Sequence, residues 1–225
     1  MGEQAVTGRA VRRQEIQVAV GTHSLAGMLS IPEAARGIVI FAHGSGSSRL
    51  SPRNQAVARR LEADRLATLL MDLLDPAEEG DRRRVFDVEL LATRLLAATD
   101  WVAAEPATRL LPVGYFGAST GAAAALIAAA RRGERIRAVV SRGGRPDLAG
   151  PWLPAVVSPT LLIVGGADHQ VIELNEAALA ELRCVKQLVI VPGAGHLFEE
   201  PGALDRVAEL AANWFNGHLP AAARA

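Results

Sequence analysis

The sequence predicts an α/β protein whose mostly parallel sheet is flanked by helices on both faces. Short β-branched apolar runs alternate with segments of helical period between residues 37 and 216. The run at 37–42 is apolar throughout, as in a strand that is buried on both faces. Strands that alternate with helices of ten or more residues need crossover connections, and such connections produce a parallel sheet.

The individual elements follow from local signals along the chain. Two apolar runs flank Gly21-Thr22-His23-Ser24 and predict a hairpin, which adds an antiparallel edge to the sheet. Pro52 suits the first turn of the first helix. The predicted strands are 15–20, 25–31, 37–42, 67–74, 112–116, 136–141, 160–164 and 187–191. The predicted helices are 51–64, 89–104, 120–132, 173–183 and 204–216.

Composition and charge exclude several classes of protein. Half of the 225 residues are hydrophobic, and 24 basic residues balance 24 acidic ones. Such a chain collapses into a core, and its zero net charge gives no field for binding nucleic acid. No apolar stretch approaches the ~18 residues of a membrane span, and residues 1–15 lack the apolar region of a signal peptide. We expect a cytoplasmic protein with no nucleic-acid or membrane partner, as a monomer or homodimer.

The chain is expected to form a single domain over residues 1–225, because no linker, repeat or low-complexity segment interrupts the alternation. Its polar start and alanine-rich tail predict flexible ends at 1–13 and 219–225. Cys184 is the only cysteine, so no internal disulfide can form. Neither a His-Glu-x-x-His motif nor a cysteine-rich spacing is present, and we expect no metal.

The segment 117–121, Gly-Ala-Ser-Thr-Gly, matches the G-x-S-x-G pattern of a nucleophile elbow. An apolar strand precedes it and a long helix follows, which is the setting that keeps a serine hydroxyl exposed. The outer glycines allow the strand and the helix to approach each other closely. A chance match in a glycine-rich chain is the alternative, and the flanking elements argue against it. Ser119 is therefore the expected nucleophile.

A serine hydroxyl needs a general base, which an acid orients in turn. Asp168 follows the strand 160–164 and His196 follows the strand 187–191, in the chain order Ser, Asp, His. The carboxyl ends of parallel strands share one edge of a sheet, so these side chains are expected to meet. Asp168 could instead cap the next helix, and Asp147 is a rival acid. Three other histidines follow no late strand in this order: His23, His169 and His218.

Two backbone amides are expected to bind the oxyanion that forms when a carbonyl is attacked. The first is that of Thr120, directly after the nucleophile. The second should come from the loop 43–48, with Ser45 as the first choice and Gly44 or Gly46 as alternatives. A nucleotide-binding loop does not fit this segment, because both the Gly-Lys-Ser/Thr of a P-loop and the third glycine of the dinucleotide fingerprint are missing.

The connection 142–159 is too short for a helical cap, so a shallow, open site is expected. Trp152 is a candidate pocket wall, although it could equally pack against the protein surface. Arg142 and Arg145 follow a strand and could bind a carboxylate or phosphate of the substrate, or could brace the loop as solvated charges. The basic run 82–84 is interpreted as part of a solvated, mixed-charge loop.

Taken together, these residues resemble the α/β-hydrolases over residues 14–216, and in particular the small dienelactone-hydrolase-like group. The matching motifs are His43-Gly44, Gly117-Ala-Ser119-Thr-Gly121, Gly166-Ala-Asp168 and Gly195-His196. The resemblance implies an eight-stranded, mostly parallel sheet without a cap domain, a Ser–Asp–His triad and no cofactor.

The activity that this resemblance implies is hydrolysis of a small-molecule carboxylic ester through an acyl-enzyme. Dienelactone hydrolases proper carry cysteine as nucleophile where this chain has Ser119, which favours an ordinary ester over a dienelactone. Acyl transfer by the same triad, lactone hydrolysis and a non-catalytic binding module of the same fold are the alternatives.

Overall fold

Eight strands form one mixed sheet in the computed structural model, which describes residues 10–219. The strands are β1 (Val11–Val20), β2 (His23–Pro32), β3 (Gly37–Ala42), β4 (Leu66–Met71), β5 (Val113–Ala118), β6 (Ile136–Arg142), β7 (Thr160–Gly165) and β8 (Lys186–Val191). Their order across the sheet is β1-β2-β4-β3-β5-β6-β7-β8. Only the β1–β2 and β2–β4 pairs are antiparallel. The predicted parallel sheet with an antiparallel edge hairpin is thus confirmed.

Helices cover both faces of this sheet. The helices are α1 (Pro52–Ala63), α2 (Arg82–Val85), α3 (Val88–Ala104), α4 (Thr120–Arg132), α5 (His169–Glu181) and α6 (Ala203–His218), with 3₁₀ segments at Gly133–Arg135 and Pro146–Ala155. No helix in the described part of the chain is long and apolar enough to span a membrane.

The side chains of each central strand alternate between two hydrophobic cores. Along β3, Ile38 and Ile40 join the core that contains α3 and α4, whereas Val39 and Phe41 join the core that contains α1 and α6. This alternation is the period of two that a pleated strand imposes. Because both faces are covered, these strands are rich in apolar residues, and β3 is apolar throughout, which explains the continuous apolar run at 37–42.

Residues 11–13 and Leu219, at the inner limits of the expected flexible ends, belong to the described fold. Residues 11–13 form the start of β1, where Val11 pairs with Pro32 of β2. The arginines of this edge strand are exposed, so the start of the strand lacks the apolar run by which strands are recognised in a sequence. At the other end Leu219 is buried beneath Gly37, because its side chain completes the core between α1 and α6. The rest of both predicted ends, at 1–9 and 220–225, lies outside the described residues.

The segment between β4 and α3 is more ordered than the solvated loop that the sequence predicts. It contains α2, whose single turn is too short to give a periodic signal. The buried carboxylate of Glu78 accepts hydrogen bonds from Arg84 at 2.7 Å and from Arg94 of α3 at 3.0 Å. These contacts fasten the segment to the body of the protein, although all three arginines of the run 82–84 are exposed, as the sequence predicts.

Candidate active site

Ser119 occupies a sharp turn between β5 and α4. Its backbone has φ +50° and ψ −123°, a conformation that non-glycine residues rarely adopt. A Cβ atom on Gly121 would lie 2.2 Å from the carbonyl oxygen of Ala42, so only glycine fits this position. The amino end of α4 lies directly behind the serine, and its dipole stabilises negative charge. The turn therefore holds Ser119 as a nucleophile elbow would.

Asp168 and His196 form a direct hydrogen bond. His196 Nδ1 lies 2.7 Å from Asp168 Oδ2, although the two residues belong to loops that follow different strands. Asp168 stands at the position that precedes α5, yet its side chain makes no capping bond to that helix. The carboxylate is engaged with the imidazole instead. An N–H donated from Nδ1 leaves Nε2 as the ring nitrogen that can accept a proton.

The turn between β6 and the following 3₁₀ segment supports both the serine and the histidine. The Ser119 N–H donates to the Arg142 carbonyl at 3.3 Å, and the Arg145 N–H donates to the Ser119 carbonyl at 3.1 Å. A Cβ atom on Gly143 would lie 3.0 Å from the carbonyl oxygen of His196 and 3.6 Å from its Nδ1. The turn formed by residues 142–145 thus contacts both Ser119 and His196.

Among the described residues, no hydrogen bond joins Ser119 Oγ to the His196 ring. Contacts of this kind are often longer before substrate binds than in the reacting complex. The structure therefore brings the acid and the base into contact, and one turn contacts both the serine and the histidine.

The rival residues have other partners. Asp147 forms a two-pronged ion pair with Arg145, with both contacts at 2.8 Å. His23 is bonded to Asp75, which follows β4. The His218 ring packs on Trp214 with 4.5 Å between centroids. None of these contacts involves Ser119 or His196.

His43 shapes the loop opposite the elbow. Its Nε2 accepts a hydrogen bond from the Leu73 N–H at 3.0 Å, so its Nδ1 carries the proton and donates to the Gly44 carbonyl at 2.9 Å. Burial lowers the pKa of His43, which keeps the ring neutral. The histidine therefore ties the loop to the end of β4, a role that the sequence analysis did not assign.

The predicted oxyanion amides lie close together. The Gly44 carbonyl is held within its own loop by His43 and by the Ser47 N–H at 3.2 Å. The peptide bond between Gly44 and Ser45 is trans, so the Ser45 N–H points away from the side on which the Gly44 carbonyl lies. This N–H donates to Thr120 Oγ1 at 3.1 Å. The Thr120 N–H belongs to the first turn of α4 and has no acceptor within that helix. Both amides therefore lie beside the elbow, with that of Ser45 bonded to a hydroxyl.

A cavity of about 330 Å³ adjoins this loop. Leu74, Val85 and Leu91 form its apolar wall, and Glu79 adds a carboxylate. The segment between β4 and α3 thus forms one side of a pocket beside the loop 43–48. The expectation of a shallow, open site stays a prediction. No sequence signal linked these three apolar residues, since they come from a loop and two different helices.

Trp152 and Arg145 do not line this cavity. Trp152 donates from Nε1 to Glu89 at 2.8 Å, and the Arg131 guanidinium lies 4.7 Å from its ring centroid. It therefore packs over α3 and α4, the alternative that the sequence left open. Arg145 is engaged by Asp147, whereas Arg142 has no ion-pair partner among residues 10–219.

One group of described residues brings three potential metal ligands together, namely His23, Asp75 and Glu78, within 4.8 Å of one another. Arg84 and Arg94 already bind Glu78, and their positive charges oppose a further cation. The group instead joins the hairpin turn to the segment that follows β4.

Comparisons with known proteins show what the chain as a whole is similar to. No family model matches the chain. The crystal structure of a dienelactone hydrolase from Anabaena variabilis is 58% identical, with a TM-score of 0.90 over 93% of this chain and 99% of that one. Est1E from Butyrivibrio proteoclasticus shares the fold at 17% identity, with a TM-score of 0.78 over 91% of this chain and 98% of that one.

A Mycobacterium tuberculosis protein that carries the provisional name phosphoribosyl transferase is 60% identical over 93% of this chain and 47% of its own length. An uncharacterized protein of the same organism is 30% identical over 74% of this chain and 64% of its own length. The chain thus spans about half the length of the first of these relatives.

Proposed function

The chain belongs to the dienelactone-hydrolase-like family of α/β-hydrolases, and from this premise we propose that it hydrolyses small carboxylic esters through an acyl-enzyme on Ser119. The observation that carries the proposal is the 2.7 Å hydrogen bond between Asp168 and His196, beside a serine in an elbow conformation. A carboxylate that orients an imidazole, which in turn takes the proton of a serine hydroxyl, is the arrangement that activates that hydroxyl at neutral pH.

In the first step, Ser119 Oγ attacks the ester carbonyl and His196 Nε2 takes the hydroxyl proton. The Ser45 amide leaves Thr120 Oγ1 and, with the Thr120 amide, donates to the oxyanion. Collapse of the tetrahedral intermediate expels the alcohol, which receives the proton from His196. Water then attacks the acyl-enzyme by the same route, releasing the acid and regenerating Ser119.

The cavity beside the loop 43–48, which carries the Ser45 amide, can hold the acyl group of the substrate. Its wall is apolar, so a short hydrocarbon chain gains free energy by leaving water there. An ordinary ester with a small apolar acyl group fits this description, and the serine nucleophile agrees with that class of substrate.

Phosphoribosyl transfer, the activity in the provisional name of the first M. tuberculosis relative, is not part of this proposal. That reaction expels pyrophosphate from a sugar carbon and needs no acyl-accepting serine. We expect this chain to release no pyrophosphate from a phosphoribosyl diphosphate donor.

The test is hydrolysis of p-nitrophenyl butyrate by the wild type, Ser119→Ala and Ser24→Ala, an exposed serine in the β1–β2 hairpin. We expect Ser119→Ala to lower kcat by about 10⁴-fold or more and Ser24→Ala to leave it unchanged. Melting temperatures should agree among the three proteins. Near-full activity of a clean Ser119→Ala preparation would rule out the serine mechanism.

A further inference from the structure

Arg142, the last residue of β6, is a buried cation without a counter-charge. Its side chain is only 7% exposed, and its Nε and Nη1 atoms are buried without any hydrogen-bond partner. The similarly buried Arg94, 4% exposed, has Glu78 at 3.0 Å. A buried guanidinium without a carboxylate is costly to keep, so its presence requires a reason outside the stability of the fold.

This guanidinium belongs to the immediate surroundings of the candidate site. Arg142 pairs with Ala118 of β5 on one side and with Ile163 of β7 on the other, between the strands that carry Ser119 and Asp168. Its carbonyl accepts the Ser119 N–H, and neighbouring strands are only about 4.8 Å apart. The Arg142 side chain therefore starts within one strand spacing of the nucleophile.

The side chain lies on the face of the sheet opposite the apolar cavity. Val140, two residues earlier, packs in the core between α1 and α6, and alternation places Arg142 on the same face. The cavity-lining Leu74 and Leu91 belong to the other core. A substrate held at Ser119 can thus extend toward the cavity with one part and toward Arg142 with another.

A second arginine increases the positive charge on this side. Burial, and to a smaller extent the charge of Arg53 in the first turn of α1, lower the pKa of Arg142 to about 10, so it stays protonated at neutral pH. The partner of Arg53 is Glu199, at 3.1 Å, which is largely exposed and follows His196 by three residues. Of these two guanidiniums only that of Arg53 has a carboxylate partner in the described part of the chain, and that carboxylate is exposed.

We propose that Arg142, with Arg53 beside it, binds an anionic oxygen group, a carboxylate or a phosphate, carried by the ester substrate beyond its scissile carbonyl. Nε and Nη1 are fully buried without a partner, whereas Nη2, which also makes no hydrogen bond, retains some exposure. Guanidinium matches such groups in both charge and geometry. Arg145 does not take this role, because Asp147 already engages it.

This inference rests on the proposed function, since it names the substrate class of the same site. The first test compares mono-p-nitrophenyl succinate, a free acid, with its neutral methyl ester in the wild type, Arg142→Met and Arg137→Met. Arg137 is the matched control: an exposed arginine at the other end of β6. We expect the wild type and Arg137→Met to prefer the free acid by about tenfold or more in kcat/KM, and Arg142→Met to show no preference.

A second test measures binding without catalysis and separates the two kinds of anion. Inorganic phosphate and succinate are each titrated into Ser119→Ala, and the melting temperature is followed with and without Arg142→Met. We expect at least one of these anions to raise the melting temperature of Ser119→Ala and neither to raise that of the double variant. The anion that does so identifies the group that the site takes.

The outcomes distinguish the two proposals. If the neutral ester is hydrolysed, and the wild type and Arg142→Met prefer the free acid to the same extent, the anion site is overturned and the proposed hydrolase activity stands. Anion binding that depends on Arg142, without hydrolysis of any ester, would support the site and reject the hydrolase. Arg142→Met should melt no lower than the wild type, because it removes a buried unpaired charge. A large loss of stability would show a structural role, and Arg142→Lys, expected to keep part of the preference, then tests the site in a folded protein.

Discussion

Asp168 and Asp147 both follow strands at the same edge of the sheet, but they have different partners. Asp168 is bonded to His196, whereas both carboxylate oxygens of Asp147 are bonded to Arg145. We expect Asp168→Asn to lower kcat/KM for p-nitrophenyl butyrate by about 10⁴-fold, because the amide N–H donates to Nδ1 and leaves the ring proton on Nε2, which then cannot act as the base. Asp147→Asn should cost less than about tenfold. The opposite order would reassign the acid to Asp147.

Gly121 tests how tightly the elbow is packed. An alanine Cβ at this position would meet the Ala42 carbonyl at 2.2 Å, and backbone cannot move aside cheaply. Gly121→Ala should lower the free energy of unfolding by about 3 kcal/mol or more. Gly217→Ala, in α6 with no atom within 4 Å of the new Cβ, should be neutral or gain up to about 1 kcal/mol. Urea titrations of both variants check this, and equal stabilities would contradict the packing argument.

His43 predicts a pH dependence of stability. Its pKa is lowered in the folded protein, so below about pH 6.5 the unfolded chain binds the proton more readily than the native one. The free energy of unfolding should therefore be fully present above about pH 6.5 and fall as the pH drops below it. Measured at pH 8 and pH 5, this fall should be smaller in His43→Gln, whose side chain does not titrate. An equal fall in both proteins would mean that other groups cause it.

At the scale of elements, the strand–turn–helix signals predicted most of the chain. The elbow helix is predicted at 120–132 and observed as Thr120–Arg132, because its alanine-rich pattern begins and ends within that segment. Several elements extend or appear beyond the prediction, β1 and α2 among them. β1 begins four residues before the predicted strand, since its polar edge residues carry no apolar signal, and α2 is a single turn. Short or exposed elements depend on tertiary contacts that no local pattern contains.

The segment between β4 and α3, which contains α2, lines the apolar cavity, so the dependence of activity on the length of the acyl chain can be tested there. In the wild type each methylene that enters the apolar cavity should raise kcat/KM by about fourfold, the equivalent of ~0.8 kcal/mol, from acetate to butyrate. Val85→Trp fills the cavity and should reduce the butyrate-to-acetate ratio to about one. Phe86→Trp, an exposed neighbour outside the cavity lining, should keep the wild-type ratio. If Val85→Trp also keeps it, the acyl group binds elsewhere.

For the whole molecule, topology explains which parts of the site could be predicted. Asp168 and His196 are 28 residues apart, yet parallel strands end at one edge, so their meeting follows from the order of strands. The cavity wall and the isolation of Arg142 could not be predicted in this way. The cavity wall depends on which distant segments pack together. The isolation of Arg142 depends on which carboxylates form ion pairs with other arginines, as Glu78 does with Arg94.

The central claim, that Ser119 forms a covalent acyl intermediate, is tested most directly by locating the modified residue after reaction with a p-nitrophenyl alkylphosphonate. Peptide mass spectrometry of the trapped wild-type protein should show one phosphonyl group, attached to Ser119, with release of one equivalent of p-nitrophenol. Ser119→Ala should remain unmodified under the same conditions. A phosphonyl group on another residue, or equal labelling of Ser119→Ala, would contradict the account.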